Sequence, residues 1–374
     1  MGERRILTIA GTRPEAIKLA PLVRLLAMHP TIEHRLVATG QHGAAFHEAL
    51  AHFDVETDGD LALSNPGGDA FGDLLAPEVA ALVEAFAPDL VLVQGDTTSA
   101  WTTALACAAI GVPVGHVEAG LRTGDPMLPW PEERNRIEID QLSALLFAPS
   151  ENAAMNLAGL PGEVHVTGNT GIDALMEIRG RAPLTLHDGG RKLLLVTCHR
   201  REAIPRLPEL ASALERLARR EDVTIMLPVH GNPSVGEPLR ALLGRHPRIA
   251  PVPPLPYPDL VRIMDAAHLL LTDSGGLQEE AAALGLPTLV LRDNTERPEP
   301  VAQGNASLVG LDPARIVRAA GRLLDHPAAH AAMSRPIFPY GRGDAAPRTL
   351  EAIVRWLNLP APLLHDPYAH VNYL

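Results

Sequence analysis

The sequence predicts an α/β protein of two Rossmann-like, doubly wound domains facing across a cleft, and three observations predict it. Short β-rich runs alternate with helical stretches throughout, the pattern of parallel sheets with crossover helices. The chain has 374 residues, 46% of them hydrophobic, beyond the size at which one core usually stops growing. The two halves also open alike: ILTIAGTRPE and LLLVTCHRRE each run strand, threonine, arginine-bearing loop, glutamate and helical stretch.

In the first half strands are expected near 4–10, 35–39, 89–93, 112–117, 144–148 and 163–167. In the second they are expected near 192–197, 223–229, 248–252, 267–272, 288–291 and 306–309. Open α/β sheets bind ligands beyond the C-terminal ends of their strands, so two facing sheets define an interdomain cleft. The boundary is expected between Asn169-Thr170-Gly171 and the glycine-rich turn Asp188-Gly189-Gly190.

Composition excludes several classes of function. A net charge of −12 with scattered basic residues repels nucleic acid and anionic membrane. No apolar run reaches the ~18 residues of a membrane span, and Met1-Gly2-Glu3-Arg4-Arg5 leads straight into a strand, so a cytoplasmic address is expected. Cys107 and Cys198 are too few and too distant for a disulfide framework or a CxxC metal site,. The 16 histidines form no HExxH or other ligand cluster,. Neither GxGxxG nor GxxxxGK[ST] occurs, which argues against dinucleotide redox and P-loop chemistry. No metal and no cofactor are expected.

Six segments carry the chemistry. Gly11-Thr12-Arg13-Pro14-Glu15 turns from strand to helix with Thr12 and Glu15 at capping-box spacing,. It offers an anion site at a helix N-terminus beside Arg13, with Lys18 little more than one turn further on. In Thr272-Asp273-Ser274-Gly275-Gly276, the amides of Ser274, Gly275 and Gly276 are placed to cradle a diphosphate, with Glu280 in reach of ribose hydroxyls,. Thr197-Cys198-His199-Arg200 follows the first strand of the second half and brings His199 and Arg200 to the same edge, where His199 can bind phosphate or move a proton,. Finally, Asp96 and Glu118 each follow an apolar strand and Glu132 stands in Pro129-Trp130-Pro131-Glu132-Glu133. Together these carboxylates supply the acid and base of a proton transfer at carbon. Taken singly, each is equally compatible with a helix cap or a turn.

GTRPEAIKLAPL, QGDTTSA, GHVEAGLRTGD, PWPEERNR, TCHRRE, VHGNP and TDSGGLQEEAAALGLPTLVLRDNTERPE together resemble the non-hydrolysing UDP-N-acetylglucosamine 2-epimerases, over roughly residues 5 to 356. The resemblance implies a fold similar to the two-domain nucleotide-sugar glycosyltransferases, a homodimer, and interconversion of UDP-GlcNAc with UDP-ManNAc. It divides the chain into 1–170, carrying the catalytic carboxylates, 171–340, binding UDP, and 341–374, where FPYGRGDAAPR leads into a last helix crossing back to the first domain before a tail. By motif, Arg13, His199, Arg200, Ser274, Gly275, Gly276 and Glu280 hold the UDP-sugar, with Lys18 and Arg136 near the diphosphate or sugar. Asp96, Glu118, Glu132 and His199 are the implied catalytic groups. Gln41, His42 and His230 match a second, effector site found in bacterial relatives.

The pattern is broken in three places. Ala203 follows HRRE where relatives often carry asparagine, the stretch from Gly59 to Phe71 diverges, and a tail extends from Pro360 to Leu374. Four alternatives stay open from sequence: a hydrolysing epimerase releasing ManNAc, an epimerase of a modified UDP-GlcNAc, a glycosyltransferase of similar fold, and a non-catalytic nucleotide-sugar sensor.

Overall fold

The apolar run RRILTIA forms β1 (Arg4–Ala10), an interior strand of a seven-stranded sheet in this computed structural model, which describes residues 3–181, 190–229 and 233–360. The chain follows with α1 (Arg13–Ala27), β2 (Ile32–Ala38), α2 (Ala44–Ala51), β3 (Gly59–Asp60), α3 (Gly68–Phe86) and β4 (Leu90–Gln94). Then come α4 (Thr98–Ile110), β5 (Val114–Val117), α5 (Glu132–Leu142), β6 (Leu145–Ala148), α6 (Glu151–Met155), β7 (Glu163–Val166) and α7 (Thr170–Arg181). The sheet order is β3-β2-β1-β4-β5-β6-β7, with parallel pairing at every step. The direction of winding reverses between β1 and β4, so the loops after those two strands flank the switch point where such sheets bind ligands.

The second sheet has the same logic. It is built from β8 (Lys192–Thr197), α8 (Leu207–Ala218), β9 (Val223–Pro228), α9 (Pro233–Leu243), β10 (Ile249–Val252), α10 (Tyr257–Ala266) and β11 (Leu269–Thr272). It continues with α11 (Gly275–Leu284), β12 (Thr288–Val290), α12 (Pro298–Ala302), β13 (Ala306–Leu308), α13 (Pro313–Asp325) and α14 (Pro327–Met333). The order β10-β9-β8-β11-β12-β13 is parallel throughout and switches between β8 and β11. The loops carrying His199 and Ser274 leave those two strands.

By contact density one unit comprises Met1–Gly180 with Tyr340–Leu374, and the other Arg181–Pro339. In the first, Leu7, Ile9, Val91 and Val93 pack on Val83 of α3 and Ala104 of α4. In the second, Leu194, Val196, Ile225 and Leu271 pack on Leu210 and Leu214 of α8. The last helix, α15 (Ala345–Trp356), packs against α1. Its first amides, of Ala345 and Ala346, donate to the buried Asp173 carboxylate of α7 at 3.1 and 2.8 Å. Cys107 and Cys198 are unbridged and buried. Burial pushes the Cys107 thiol up to about 12, and burial together with the neighbouring Asp273 and Glu202 pushes Cys198 well up. No helix among the described residues is long and apolar enough to cross a membrane.

Every strand expected from sequence is present, with β2 starting at Ile32 rather than at 35. Two features differ. A two-residue strand, β3, lies at the start of the divergent stretch, pairing only Gly59 and Asp60 with Val37 and Ala38. The two halves also do not open as alike as their sequences: α1 starts three residues after β1, whereas β8 is followed by a 3-10 turn at Arg201–Arg206 before α8 begins. Pro205 lacks the amide a continuous α-helix needs there, and Pro208 instead sits in the first turn of α8,. The tail beyond Pro360 lies outside the described residues, as does His230.

Candidate functional site

At the switch point of the first unit, the loop after β1 is tied down before it can serve a ligand. The capping box is formed: Glu15 accepts from the Thr12 amide at 2.7 Å, while Thr12 Oγ1 accepts from the Glu15 amide. The same carboxylate takes the Gly11 amide and the Thr97 hydroxyl, at 3.2 and 2.9 Å. Burial pushes Glu15 up in spite of these donors. Gly11 has no room for a side chain, because a Cβ there would lie 1.8 Å from Thr39 Oγ1. Arg13 opens α1; burial lowers its guanidinium from the usual value, with Glu48 acting the other way.

Two carboxylates sit at the adjoining strand ends, each held by a cation. Glu118 directly follows β5 with φ +71°, and its buried carboxylate accepts from Lys18 Nζ at 2.5 Å and from the Gln94 side-chain amide. Asp96 follows β4 after Gly95, whose φ is +68°. Its Oδ2 accepts from Arg136 at 2.5 Å, and its carbonyl accepts from Asn135 Nδ2 at 3.0 Å. Arg136 is buried on α5, and its second nitrogen lies 3.2 Å from Glu133 Oε2. Glu133 in turn accepts the Thr123 and Gly124 amides, at 2.8 and 3.3 Å, which pins the loop ahead of α5. Glu132 is the first residue of the helix that grips Asp96. The structure therefore brings Lys18 to Glu118 and Arg136 to Asp96, so each cation neutralises a carboxylate.

Gln41 and His42 adjoin the same loop. Gln41 Oε1 accepts from the Ser99 hydroxyl and amide at 2.6 and 3.1 Å. Its carbonyl accepts from Asn65 of the divergent stretch at 2.9 Å. His42 donates its amide to Gly11 and accepts from the Arg13 amide at Nδ1.

In the second unit the loops after β8 and β11 meet through Asp273. Its Oδ2 accepts the amides of His199 and Arg200, both at 2.8 Å, and its Oδ1 lies 2.9 Å from His199 Nδ1. Burial raises this carboxyl, but the His199 ring and the two amides outweigh burial and hold it well below the usual carboxylate range. The imidazole is thus oriented through Nδ1. Ser274 caps α11 by accepting from the Leu277 amide. Ser274 departs from the expectation that its amide cradles a diphosphate. The Ser274 amide is not open to a ligand, because it donates to Thr272 Oγ1 at 3.0 Å; the hydroxyl at the end of β11 reaches the turn first. The amides of Gly275 and Gly276, in the first turn of α11, have no intrahelical acceptor. A Cβ at Gly275 would meet the Arg297 guanidinium at 2.5 Å, so any side chain there must displace the ends of Arg297 and Glu296, whereas a Cβ at Gly276 has nothing within 4 Å. Glu280 accepts from the buried Tyr257 hydroxyl at 3.2 Å.

The carboxylates Asp96 and Glu118 of the first unit and the His199 and Ser274 loops of the second lie within a stretch matched by a single family model, which begins after the Arg13 loop and Lys18. Residues 24–354 match the model described as UDP-N-acetylglucosamine 2-epimerase. A probable UDP-N-acetylglucosamine 2-epimerase of Ralstonia nicotianae is 45% identical, the match covering 94% of this chain and 98% of that one. The chain belongs to the UDP-N-acetylglucosamine 2-epimerase family. Among solved structures, the family's Neisseria meningitidis enzyme bound to UDP-GlcNAc superposes with a TM-score of 0.91 at 37% identity, covering 94% of this chain and 100% of that one. The two-domain glycosyltransferase-like (GT-B) fold extends further. The glycotransferase of kitacinnamycin shares it at a TM-score of 0.65 and 15% identity, over 96% of this chain and all of that one.

Sequence reasoning passed over several residues of this epimerase-family chain. Gln94, Glu133, Asp273 and Tyr257 each hold an expected site residue. Glu296 links Arg200, Arg292 and Arg297 beneath the Gly275 turn, lying 3.6 Å from Arg200 and 2.8 Å from Arg292. The signal was available for Asp273 and Glu296: a charged residue directly after an apolar strand, or alternating charges such as Arg292, Glu296 and Arg297 beside one, needs a buried partner.

Proposed function

We propose that this chain reversibly epimerises UDP-GlcNAc to UDP-ManNAc by eliminating UDP to 2-acetamidoglucal and adding it back, with no added metal or nicotinamide. The observation that carries the reading is the pair of cation-held carboxylates, Asp96 and Glu118, at the ends of the neighbouring strands β4 and β5, beside the switch point between β1 and β4. A carboxylate removes the C2 proton, the C–H electron pair becomes the C1=C2 bond, and the C1–O pair leaves with the diphosphate. Re-addition reverses these steps, with the proton delivered to the opposite face of C2.

Such a step breaks a weakly acidic C–H bond as the diphosphate departs with one more negative charge, so it needs an ionised base and cationic or amide donors together. Asp96, Glu118, Glu132 and His199 are assigned to proton handling. Arg13, Arg200, Ser274, Gly275, Gly276 and Glu280 are assigned to the nucleotide, with Lys18 and Arg136 swinging between carboxylate and substrate. We read the enzyme as a cytoplasmic homodimer, on the family resemblance.

The test is incubation of UDP-GlcNAc with purified protein in D₂O, followed by NMR of the sugars. Deuterium should enter C2 of both epimers. Product retaining its C2 hydrogen overturns the elimination route, and free ManNAc as main product assigns the chain to the hydrolysing class.

A further inference from the structure

β5 carries, two residues before Glu118, a histidine with no solvent exposure. His116 Nε2 lies 2.8 Å from the carbonyl oxygen of Gly95, the residue before Asp96. Its Nδ1 lies 2.6 Å from Oδ1 of Asp140, which is equally buried and stands two turns along α5 from Glu132,. The other oxygen of Asp140 accepts from the Arg122 guanidinium at 2.7 Å and from the Gly120 amide at 3.2 Å, both in the segment just after Glu118. One buried network thus touches the three segments that bear Asp96, Glu118 and Glu132.

The proton positions follow from the acceptors. A carbonyl oxygen cannot donate, so Nε2 carries hydrogen. Asp140 already receives two donors on Oδ2. Burial raises its carboxyl, but His116 and Arg122 outweigh burial and hold it below the usual range, so it accepts at Oδ1 as well. Both ring nitrogens thus face hydrogen-bond acceptors, and the ring is clamped between a carboxylate and a backbone carbonyl. The charge-assisted bond to the carboxylate is shorter and more directional than a neutral one. Gly95, in the left-handed region at φ +68°, is the joint this clamp fixes.

We propose that His116 is a positioning residue of the epimerisation, its doubly donating ring locking the Gly95–Asp96 turn and α5 so that Asp96, Glu118 and Glu132 keep one mutual geometry. This rests on the function proposed above. The ring touches none of the reacting atoms and acts through the Gly95 carbonyl. It is absent from the motif-based assignments because His116 reads in sequence as one polar position inside an apolar strand.

The test compares wild type with His116→Gln, which keeps one N–H donor, His116→Phe, which keeps none, and Asp140→Asn. A displacement of about 1 Å in a reacting group costs on the order of 10²-fold in rate. The Phe variant should therefore lose about 10²-fold in kcat and the Gln variant less, with KM for UDP-GlcNAc and calorimetric UDP affinity within a few fold of wild type. On wild type, ¹⁵N NMR of histidine-labelled protein at neutral pH should show both His116 ring nitrogens protonated, the signal being assigned by its loss in His116→Gln or its displacement in Asp140→Asn. Unchanged kcat in the Phe variant, or equal losses in kcat and UDP affinity, overturns the positioning role, and a bare ring nitrogen overturns the clamp. If the Phe variant does not fold, the Gln variant and the wild-type spectrum decide. A wild type inert toward UDP-GlcNAc would defeat the functional reading instead, and the spectrum still judges the network.

Discussion

Glu118 occupies a backbone conformation that side chains with a Cβ adopt at a cost of order 1–3 kcal/mol,. That strain turns its carboxylate toward Lys18 and Gln94. If Asp96, Glu118 and Glu132 move the C2 proton, then Asp96→Asn, Glu118→Gln and Glu132→Gln should each lower kcat by roughly 10²-fold or more and leave UDP affinity within a few fold. Arg13→Ala and Ser274→Ala should do the reverse, weakening UDP affinity in calorimetry. Carboxylate variants that lose UDP while the Arg13 variant binds it normally would invert the assignment. The positions of Asp96 and Glu118 were legible in sequence because a polar residue within two positions of the end of an apolar strand lies beyond the sheet, where open α/β sheets bind ligands,. Their partners were not legible. Lys18 and Glu118 are 100 residues apart, and only the register between β1, β4 and β5 makes them neighbours.

Elements follow a similar division. Runs such as DLVLV and HLLLT declare themselves by unbroken apolar content, as strands buried on both faces do. β3 does not, being two residues of Gly59 and Asp60 held at a sheet edge by pairing alone. The return of α15 is held by a contact no local pattern shows: Asp173 caps a helix whose first residue is 172 positions away. Burial pushes that carboxyl up from 3.8 to about 7, with the Ala345 and Ala346 amides opposing. Because the folded value is raised, the group's contribution to stability is full below about pH 4 and is lost as pH rises through about 7. The whole swing is on the order of 4 kcal/mol at most. Asp173→Asn should therefore flatten the decline of denaturant midpoint between about pH 4 and pH 8, while costing about 1 kcal/mol at low pH through the lost second acceptor. An unchanged pH slope in the variant would show that Asp173 does not supply it.

At the scale of the whole molecule, the sequence carries the double-wound plan twice over, since each half repeats the strand and helix alternation, but regulation depends on detail. Gln41, expected at an effector pocket, already has its side-chain oxygen on Ser99. The family resemblance implies a QHxQ-like stretch here, but the chain reads Gln41-His42-Gly43-Ala44, without the second glutamine, and the stretch from Gly59 to Phe71 contains no arginine. An effector deprived of one amide contact and one charge-assisted phosphate contact forfeits about 1 and about 1.5 to 3 kcal/mol respectively. UDP-ManNAc alone should thus be epimerised without delay. A lag in its consumption that trace UDP-GlcNAc abolishes would show that an effector site operates. The two buried thiols have a separate use. One belongs to each unit, Cys107 in the first and Cys198 in the second, and neither supplies thiolate while its surroundings are intact. Once exposed, a thiol returns to about 8.5 and reacts with iodoacetamide. Alkylation followed by peptide mass spectrometry along a urea series would then act as two internal clocks. Each would report when its own half of the chain opens, with no engineered probe and no reducing agent in the buffer.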